Sequence, residues 1–362
     1  MIITLEPDAA KSTLDAIARQ LERYPGVESK LYEFTGATTT IREVHLIGQT
    51  RAIPTEGFEV LPGVRAVSRV SAKYRLIGRH RDAQTHSFEY NGVRFGGDEV
   101  QLMAGLCAVD TPEHVDAMMK TLREHKLQTT RMGVYKPRSS PYDFQGLGKA
   151  CLPWVFDLAG KHGIKVIAME ITDARQIDEI TTALEAAGRP TGVMLQIGTR
   201  NAQAFELLKA VGQQQQFPVL FKRGMGITLE ESLNACEYIA SEGNGRILFC
   251  LRGVKTHLGE PHRNLVDFAH VPVVRRLTRL PVCIDPSHSV GRMDLAPDGL
   301  PDIFHAVGQG IVTGASAVLI DFHPRPELAL CDGPQALGLE QLPRFMRYVE
   351  VMRRAYTEAT AA

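Results

Sequence analysis

Between residue 100 and the C-terminus, short apolar runs and amphipathic stretches alternate eight times. No other feature constrains the fold as much. An apolar run bounded by turn residues fits a strand buried on both faces, and a 3.6-residue spacing after it lays a helix back over that strand. Repeating the unit builds a parallel sheet covered by helices. Strands are expected at Gln101–Cys107, Gln128–Val134, Lys165–Met169, Gly192–Gln196, Val219–Phe221, Arg246–Cys250, Val282–Asp285 and Ala317–Phe322. Helices are expected at Pro112–Lys126, Gly146–His162, Ala174–Ala187, Ala202–Val211, Leu229–Glu242, Phe268–Leu277, Pro301–Thr313 and Leu339–Tyr356. Eight such units in about 260 residues match a (β/α)8 TIM barrel, which takes ~250. An open doubly wound sheet is the rival. The count of eight, and a first turn without a GxGxxG fingerprint, favour the barrel.

The first 70 residues read differently. An apolar start, IITLEP, gives a strand. Leu14, Ile17 and Leu21 recur on one face of a helix over Ser12–Tyr24, with Ser12 as its N-cap. Strand-like segments follow at Ser29–Phe34, Ile41–Ile47 and Val64–Val70, with a short helix at Ile53–Leu61 between the last two. The order βαββαβ is that of a ferredoxin-like α+β unit. Residues 71–99 are polar and turn-rich, a linker containing one hairpin, HSFEYNGVRFGG, marked by its Asn-Gly. The expected organisation is therefore 1–70, a ferredoxin-like domain; 71–99, the linker; and 100–362, the barrel.

Lys and Arg total 41, as do Asp and Glu. With no net positive field, nucleic acid and anionic membrane are not expected partners. No apolar run reaches the ~20 residues of a membrane span, and MIITLEPDAAKSTLD is too acidic for a signal peptide. A cytoplasmic location is expected. The six cysteines show no CxxC spacing, so most should be buried thiols and at most one or two should carry chemistry.

Active sites of such barrels lie at the C-terminal strand ends. Strand two brings Arg131, then Lys136 and Arg138. Glu170 follows strand three, and Arg200 follows strand four in QIGTRN. FKRG supplies Lys222 and CLRG supplies Arg252. Six cations on one face of a neutral protein predict a multiply charged anionic ligand, phosphate plus carboxylate. Gly198, Gly224 and Gly253 beside them would let a ligand approach backbone N–H groups. A second group is Cys107 from strand one, His288 after strand seven in IDPSHS, and Asp321 and Asp332 at and beyond strand eight. One thiol, one imidazole and two carboxylates suit a divalent Mn, Fe, Co or Zn ion better than Mg. The plainer alternative is a buried cysteine beside a satisfied histidine. His323, in IDFHP, is a further candidate for the metal or the substrate.

Seven stretches, AGLCAVD, YKPRSSPYDFQGLG, QIGTRNAQ, FKRG, RNLVDF, IDPSHSVGR and DFHPRPELALCDG, give the chain a clear likeness. It resembles the 3-deoxy-D-arabino-heptulosonate 7-phosphate (DAHP) synthases of type I beta along essentially its whole length, including their ferredoxin-like regulatory domain. The resemblance implies condensation of phosphoenolpyruvate with erythrose 4-phosphate to DAHP and phosphate, the entry to aromatic amino acids. It implies that Arg131, Lys136, Arg200, Lys222 and Arg252 hold phosphoenolpyruvate, and that Arg138 and Ser139 hold the phosphate of erythrose 4-phosphate. It gives the metal positions to Cys107, His288, Asp321 and Asp332. Lys136 and His288 become the catalytic candidates, Lys136 as proton donor to the new alkoxide. A homo-oligomer, tetramer or dimer, is implied. So is feedback by an aromatic amino acid through docking of the small domain over the barrel mouth.

Four positions depart from the family pattern. Leu106 stands for Pro, Ala108 for Ser, Leu251 for Glu, and Asp321 for Glu. The last shortens the reach to a metal by one methylene, roughly 1.3–1.5 Å. These departures keep two other readings open. One is a related phosphoenolpyruvate–aldose phosphate synthase with another acceptor or a secondary-pathway role. The other is a non-catalytic homologue.

Overall fold

The computed structural model describes residues 1–35, 40–69, 74–79 and 87–361. Val70, His86 and parts of the 71–99 linker lie outside the described residues.

The N-terminal unit runs β1 (Ile2–Leu5), α1 (Lys11–Leu21), β2 (Glu28–Thr35), β3 (Thr40–Ile47), α2 (Glu56–Glu59), β4 (Val64–Ser68). Its sheet is antiparallel in the order β2-β3-β1-β4, so the two helix connections cross as in a ferredoxin-like fold. Ile3, Ile17, Val44, Phe58 and Val67 form its own core. The helix starts one residue before the expected N-cap. Ala10 takes that position, with no side-chain hydrogen bond, because Ser12 already lies inside the first turn.

A hairpin follows, β5 (Phe88–Tyr90) and β6 (Val93–Phe95). Asn91 and Gly92 both take positive φ, 48° and 77°, the twist a two-residue hairpin needs. The hairpin is a plug. Phe88, Val93 and Phe95 pack with Met103, Val166, Met194, Leu220, Leu248 and Ala317, interior residues near the strand starts. Val193 N donates to Tyr90 Oη at 3.2 Å, and Asn91 Nδ2 donates to Lys165 O at 2.7 Å.

The barrel strands are β7 (Gln101–Gly105), β8 (Thr129–Arg131), β9 (Val166–Ile171), β10 (Gly192–Ile197), β11 (Val219–Lys222), β12 (Ile247–Leu251), β13 (Val282–Ile284) and β14 (Ala317–His323). Each pairs in parallel with the next from β8 to β14, β14 pairs with β7, and a parallel bridge at Leu106–Met132 closes the ring. Its helices are α3 (Pro112–Glu124), α4 (Leu152–His162), α5 (Arg175–Ala186), α6 (Phe205–Gln213), α7 (Leu229–Ser241), α8 (Val271–Leu277), α9 (Pro286–Val290), α10 (Asp302–Ile311) and, after the two-residue strand β15 (Leu337–Gly338), α11 (Leu342–Thr360). Local signals explain several boundaries. Thr228 and Glu231 form a capping box on α7, Thr111 caps α3 with Pro112 at its first position, and Gly163 ends α4 in the left-handed conformation. No helix among the described residues is long and apolar enough to cross a membrane.

The two units are joined by buried polar contacts. Glu43 of β3 takes a hydrogen bond from Arg279 Nη2 at 2.5 Å, with both side chains at most 5% exposed. Residues 75–77 turn three backbone N–H groups onto the Glu237 carboxylate of α7 at 2.7–3.1 Å. Arg279 precedes β13, so these contacts lie at the N-terminal end of the barrel. The expected docking over the mouth is not what this chain's own contacts give. The small domain is held at the opposite end, where a buried arginine and carboxylate complete one another.

Candidate active site

The site is assembled at the C-terminal strand ends. After β8 the chain enters Tyr135–Gly146 and closes on itself. Lys136 N donates to Gln145 O at 3.0 Å and Gly148 N to Val134 O at 3.1 Å. Gly146 supplies the required turn at φ +89°. Pro137 separates two cations with different partners. Lys136 points inward, its Nζ 3.2 Å from Cys107 Sγ and 3.9 Å from Glu170 Oε2. Arg138 is partly exposed and donates to Asp143 and Cys331. Ser139 receives a long contact from Arg200 Nη2 at 3.5 Å, linking the loops after β8 and β10.

A cavity of about 130 Å³ is lined by Lys136, Arg138, Ser139, Glu170, Arg200, Lys222, Arg252, Arg263, His288, Cys331 and Asp332, among others. Five of the six expected cations therefore converge on it. The sixth, Arg131, lies behind the cavity, 2% exposed, and its Nη1 donates to Asp321 Oδ1. Burial alone would lower the Arg131 pKa, but Asp321 and Cys107 override it and raise it. Arg252 is 3% exposed, and its Nε and Nη1 have no partner among the described residues. Burial pulls its pKa down. An unpaired, desolvated guanidinium facing a cavity is a ready receptor for an anion. The space beside Gly198, Gly224 and Gly253 is not left to a ligand. A Cβ there would meet Glu170, Ile227 and Asn264, so these glycines make room for neighbouring side chains.

The IDPSHS turn builds the histidine. Asp285 caps α9, its Oδ1 accepting from His288 N at 3.0 Å. The same carboxylate meets His288 Nδ1 at 3.0 Å and receives Lys222 Nζ at 2.5 Å. Asn264 Nδ2 donates to His288 O at 2.7 Å. Burial would lower the His288 pKa, but Asp285, helped by Asp321, raises it to about 10. Orienting Nδ1 in this way leaves Nε2 for the cavity side. There it lies 3.8 Å from Cys107 Sγ and 3.6 Å from Asp332 Oδ2, and Cys107 Sγ lies 3.2 Å from that oxygen. A thiol, an imidazole and a carboxylate converging within 4.8 Å fit a borderline divalent metal by their chemistry.

The other expected residues are placed elsewhere. Asp321 lies on the Nδ1 side of His288, 3.8 Å away. His323 is turned from the cavity. Its Nε2 meets Asp110 Oδ2 at 2.8 Å, its Nδ1 accepts from Arg325 N, and His114 stacks edge-on against it. Three residues beyond those picked from the sequence complete the site. Arg263 Nη1 donates to Asp332 Oδ1 at 3.0 Å and to Gln335 Oε1 at 2.9 Å, while Gln335 Nε2 donates to Asp321 Oδ2 at 2.6 Å. Cys331 packs with Cys107 and Ala108. Its adjacency to Asp332 was the available sequence signal. Arg263, in RNLVDF, had none beyond its motif.

Two family models match the chain. One, described as the DAHP synthetase I family, covers residues 79–358, and the other, the DAHP synthase ferredoxin-like domain, covers residues 1–72. A phospho-2-dehydro-3-deoxyheptonate aldolase of Thermotoga maritima is 34% identical, over 98% of this chain and 97% of that protein. A 2-dehydro-3-deoxyphosphooctonate aldolase of Syntrophotalea carbinolica is 29% identical over 70% of this chain and 91% of its own. The crystal structure of the Thermotoga maritima DAHP synthase superposes with a TM-score of 0.69 at 32% identity, covering 99% of this chain and 97% of that one. A truncated form of that enzyme covers 78% of this chain and 96% of its own, with a TM-score of 0.65. The chain belongs to the DAHP synthetase I family, as a (β/α)8 barrel enzyme preceded by the family's ferredoxin-like domain.

Proposed function

We propose that the protein condenses phosphoenolpyruvate with erythrose 4-phosphate, giving DAHP and inorganic phosphate at the entry to aromatic amino acid biosynthesis, in a metal-dependent reaction. The observation that carries this reading is Arg252. It is buried, unpartnered at two nitrogens, and faces a cavity that already holds Lys136, Arg200 and Lys222. That arrangement suits a small, dense anion such as phosphoenolpyruvate. Membership of the family and the Thermotoga maritima likeness support the same substrate pair.

Arg200, Lys222 and Arg252 would clamp the phosphate and carboxylate of phosphoenolpyruvate, with Arg131 behind them. Arg138 and Ser139, on the outer side of Pro137, would hold the phosphate of the aldose. Held so, the methylene carbon of phosphoenolpyruvate attacks the aldehyde carbon and forms the new C–C bond. Water adds to the cationic carbon that results, and its C–O bond to phosphate breaks. Lys136, whose pKa is raised by Cys107 and Glu170 against burial, donates a proton to the developing alkoxide. Much of the rate gain would come from fixing two anions in one geometry. Cys107, His288 and Asp332 would hold a divalent metal, which as a Lewis acid polarises the aldehyde. We also propose that the ferredoxin-like domain binds an aromatic amino acid and lowers activity.

A second reading, a different aldose acceptor, is favoured by the octulosonate relatives. One assay separates the two. Purified protein with phosphoenolpyruvate is given erythrose 4-phosphate or arabinose 5-phosphate, and phosphate release and sugar-acid product are followed. Turnover with the four-carbon sugar is expected. Turnover only with the five-carbon sugar would replace the first reading by the second.

A further inference from the structure

The two faces of the His288 ring decide which side chains can share its metal. Nε2 faces Cys107 and Asp332, at 3.8 and 3.6 Å. Nδ1 faces Asp285 and Asp321, at 3.0 and 3.8 Å. An ion bound at Nε2 has Asp321 on the far side of the imidazole. Both oxygens of Asp321 are also engaged, Oδ1 by Arg131 and Oδ2 by Gln335. Its backbone is fixed by pairing with Gly105 across β14 and β7. Asp321 is a buried counter-ion for Arg131.

Cys331 is placed where Asp321 is not. Its Sγ lies 3.2 Å from Asp332 Oδ2, the same separation as Cys107 Sγ from that oxygen. The two cysteines pack against each other. Asp332 adopts φ +55°, a left-handed conformation that aspartate tolerates. A tetrahedral ion with bonds of ~2.3 Å to sulfur and ~2.0–2.1 Å to nitrogen or oxygen separates its donors by roughly 3.4–3.8 Å. Cys107, His288 and Asp332 are separated by 3.2–3.8 Å, close to that cage, and Cys331 Sγ adjoins its Asp332 corner at 3.2 Å from outside the trio.

We propose that Cys331 is a metal ligand, completing Cys107, His288 and Asp332 into a two-thiolate set, while Asp321 serves Arg131 and stays off the metal. The inference rests on the metal-dependent reading above. On coordination each thiol releases its proton to solvent. Two soft donors direct the site toward Zn, Fe(II) or Co rather than Mn or Mg.

Cobalt(II) is the probe. Chelated protein is titrated with it, and the near-ultraviolet thiolate-to-cobalt charge-transfer band is read per bound ion. Wild type should show two thiolates. Cys331→Ser should halve the band and weaken cobalt binding at least about 10-fold, with a cooperative melt confirming that the variant folds. Asp321→Asn should keep the full band. A one-thiolate band in wild type, or a Cys331→Ser band equal to wild type, would overturn the proposal and leave the metal-dependent reading standing. No bound cobalt in wild type would overturn both.

Discussion

Lys136 Nζ lies 3.2 Å from Cys107 Sγ. This contact joins a buried cation of the cavity to the thiol of the Cys107–His288–Asp332 group. On the proposed mechanism it would set the proton donor beside the residues that would hold the metal. Replacing Lys136 by Met should lower kcat by about 10²–10⁴-fold, the usual worth of a positioned acid, and change the KM for phosphoenolpyruvate much less. Lys136→Arg should not restore it, since a planar guanidinium cannot give up its proton. Steady-state kinetics with each substrate varied checks both. A variant with near-normal kcat would remove Lys136 from the chemistry.

Arg252 should behave as a residue kept for binding at the expense of stability. It is buried with two unpaired nitrogens. Arg252→Met should raise the melting temperature, because an uncompensated buried charge is replaced by an apolar side chain. The same change should lower kcat/KM for phosphoenolpyruvate about 100-fold, or roughly 2–3 kcal/mol, the range of a charge-assisted bond. Phosphoenolpyruvate should stabilise wild type against heat and leave the variant nearly unmoved. A less stable variant would contradict the account.

The Glu43–Arg279 pair gives a pH signature. Burial would raise the Glu43 pKa, but the hydrogen bond to His45 and the Arg279 charge lower it below the ordinary value. A carboxylate with a depressed native pKa contributes stability that is complete above its unfolded pKa, ~4.3 for Glu. That contribution is lost as pH falls through the lower native value. Glu43→Leu should cost about 3 kcal/mol at pH 7 by removing the buried carboxylate that both Arg279 and His45 meet. Urea unfolding should show this gap constant between pH 7 and 5 and shrinking only below about pH 4. A gap that grew on acidification would refute the assignment.

Removing residues 1–69 tests whether the proposed regulation resides in the small domain. The strap at 74–79 and the hairpin plug stay with the barrel, so the truncated chain should keep turnover. It should lose inhibition by Tyr or Phe. Full inhibition of the truncated enzyme, measured by phosphate release, would show that the small domain is not the effector's site.

The barrel was legible because fully buried strands are written as apolar runs. Gly192–Ile197 is buried at every position and stands out in the sequence. The short α9 was not, since five residues starting with Pro carry no period; only the cap of Asp285 on His288 makes the helix. The cations at the strand ends were readable because the fold sends them all to one face. Their partners were not. Nothing in the order of residues says that Asp321 will meet Arg131 from 190 positions away, or that Cys331 will return to Cys107. The plugging role of the hairpin was hidden for the same reason. Its turn chemistry is local, but its apolar face is defined only by the strand starts that it covers.

The most direct test of the central reading is turnover after metal removal. The protein is chelated, then supplied with phosphoenolpyruvate and erythrose 4-phosphate, with Zn, Fe(II), Co or Mn added back singly. The account predicts no product before add-back, and stoichiometric DAHP and phosphate once a metal is restored. Tight phosphoenolpyruvate binding with no product under any metal would contradict it.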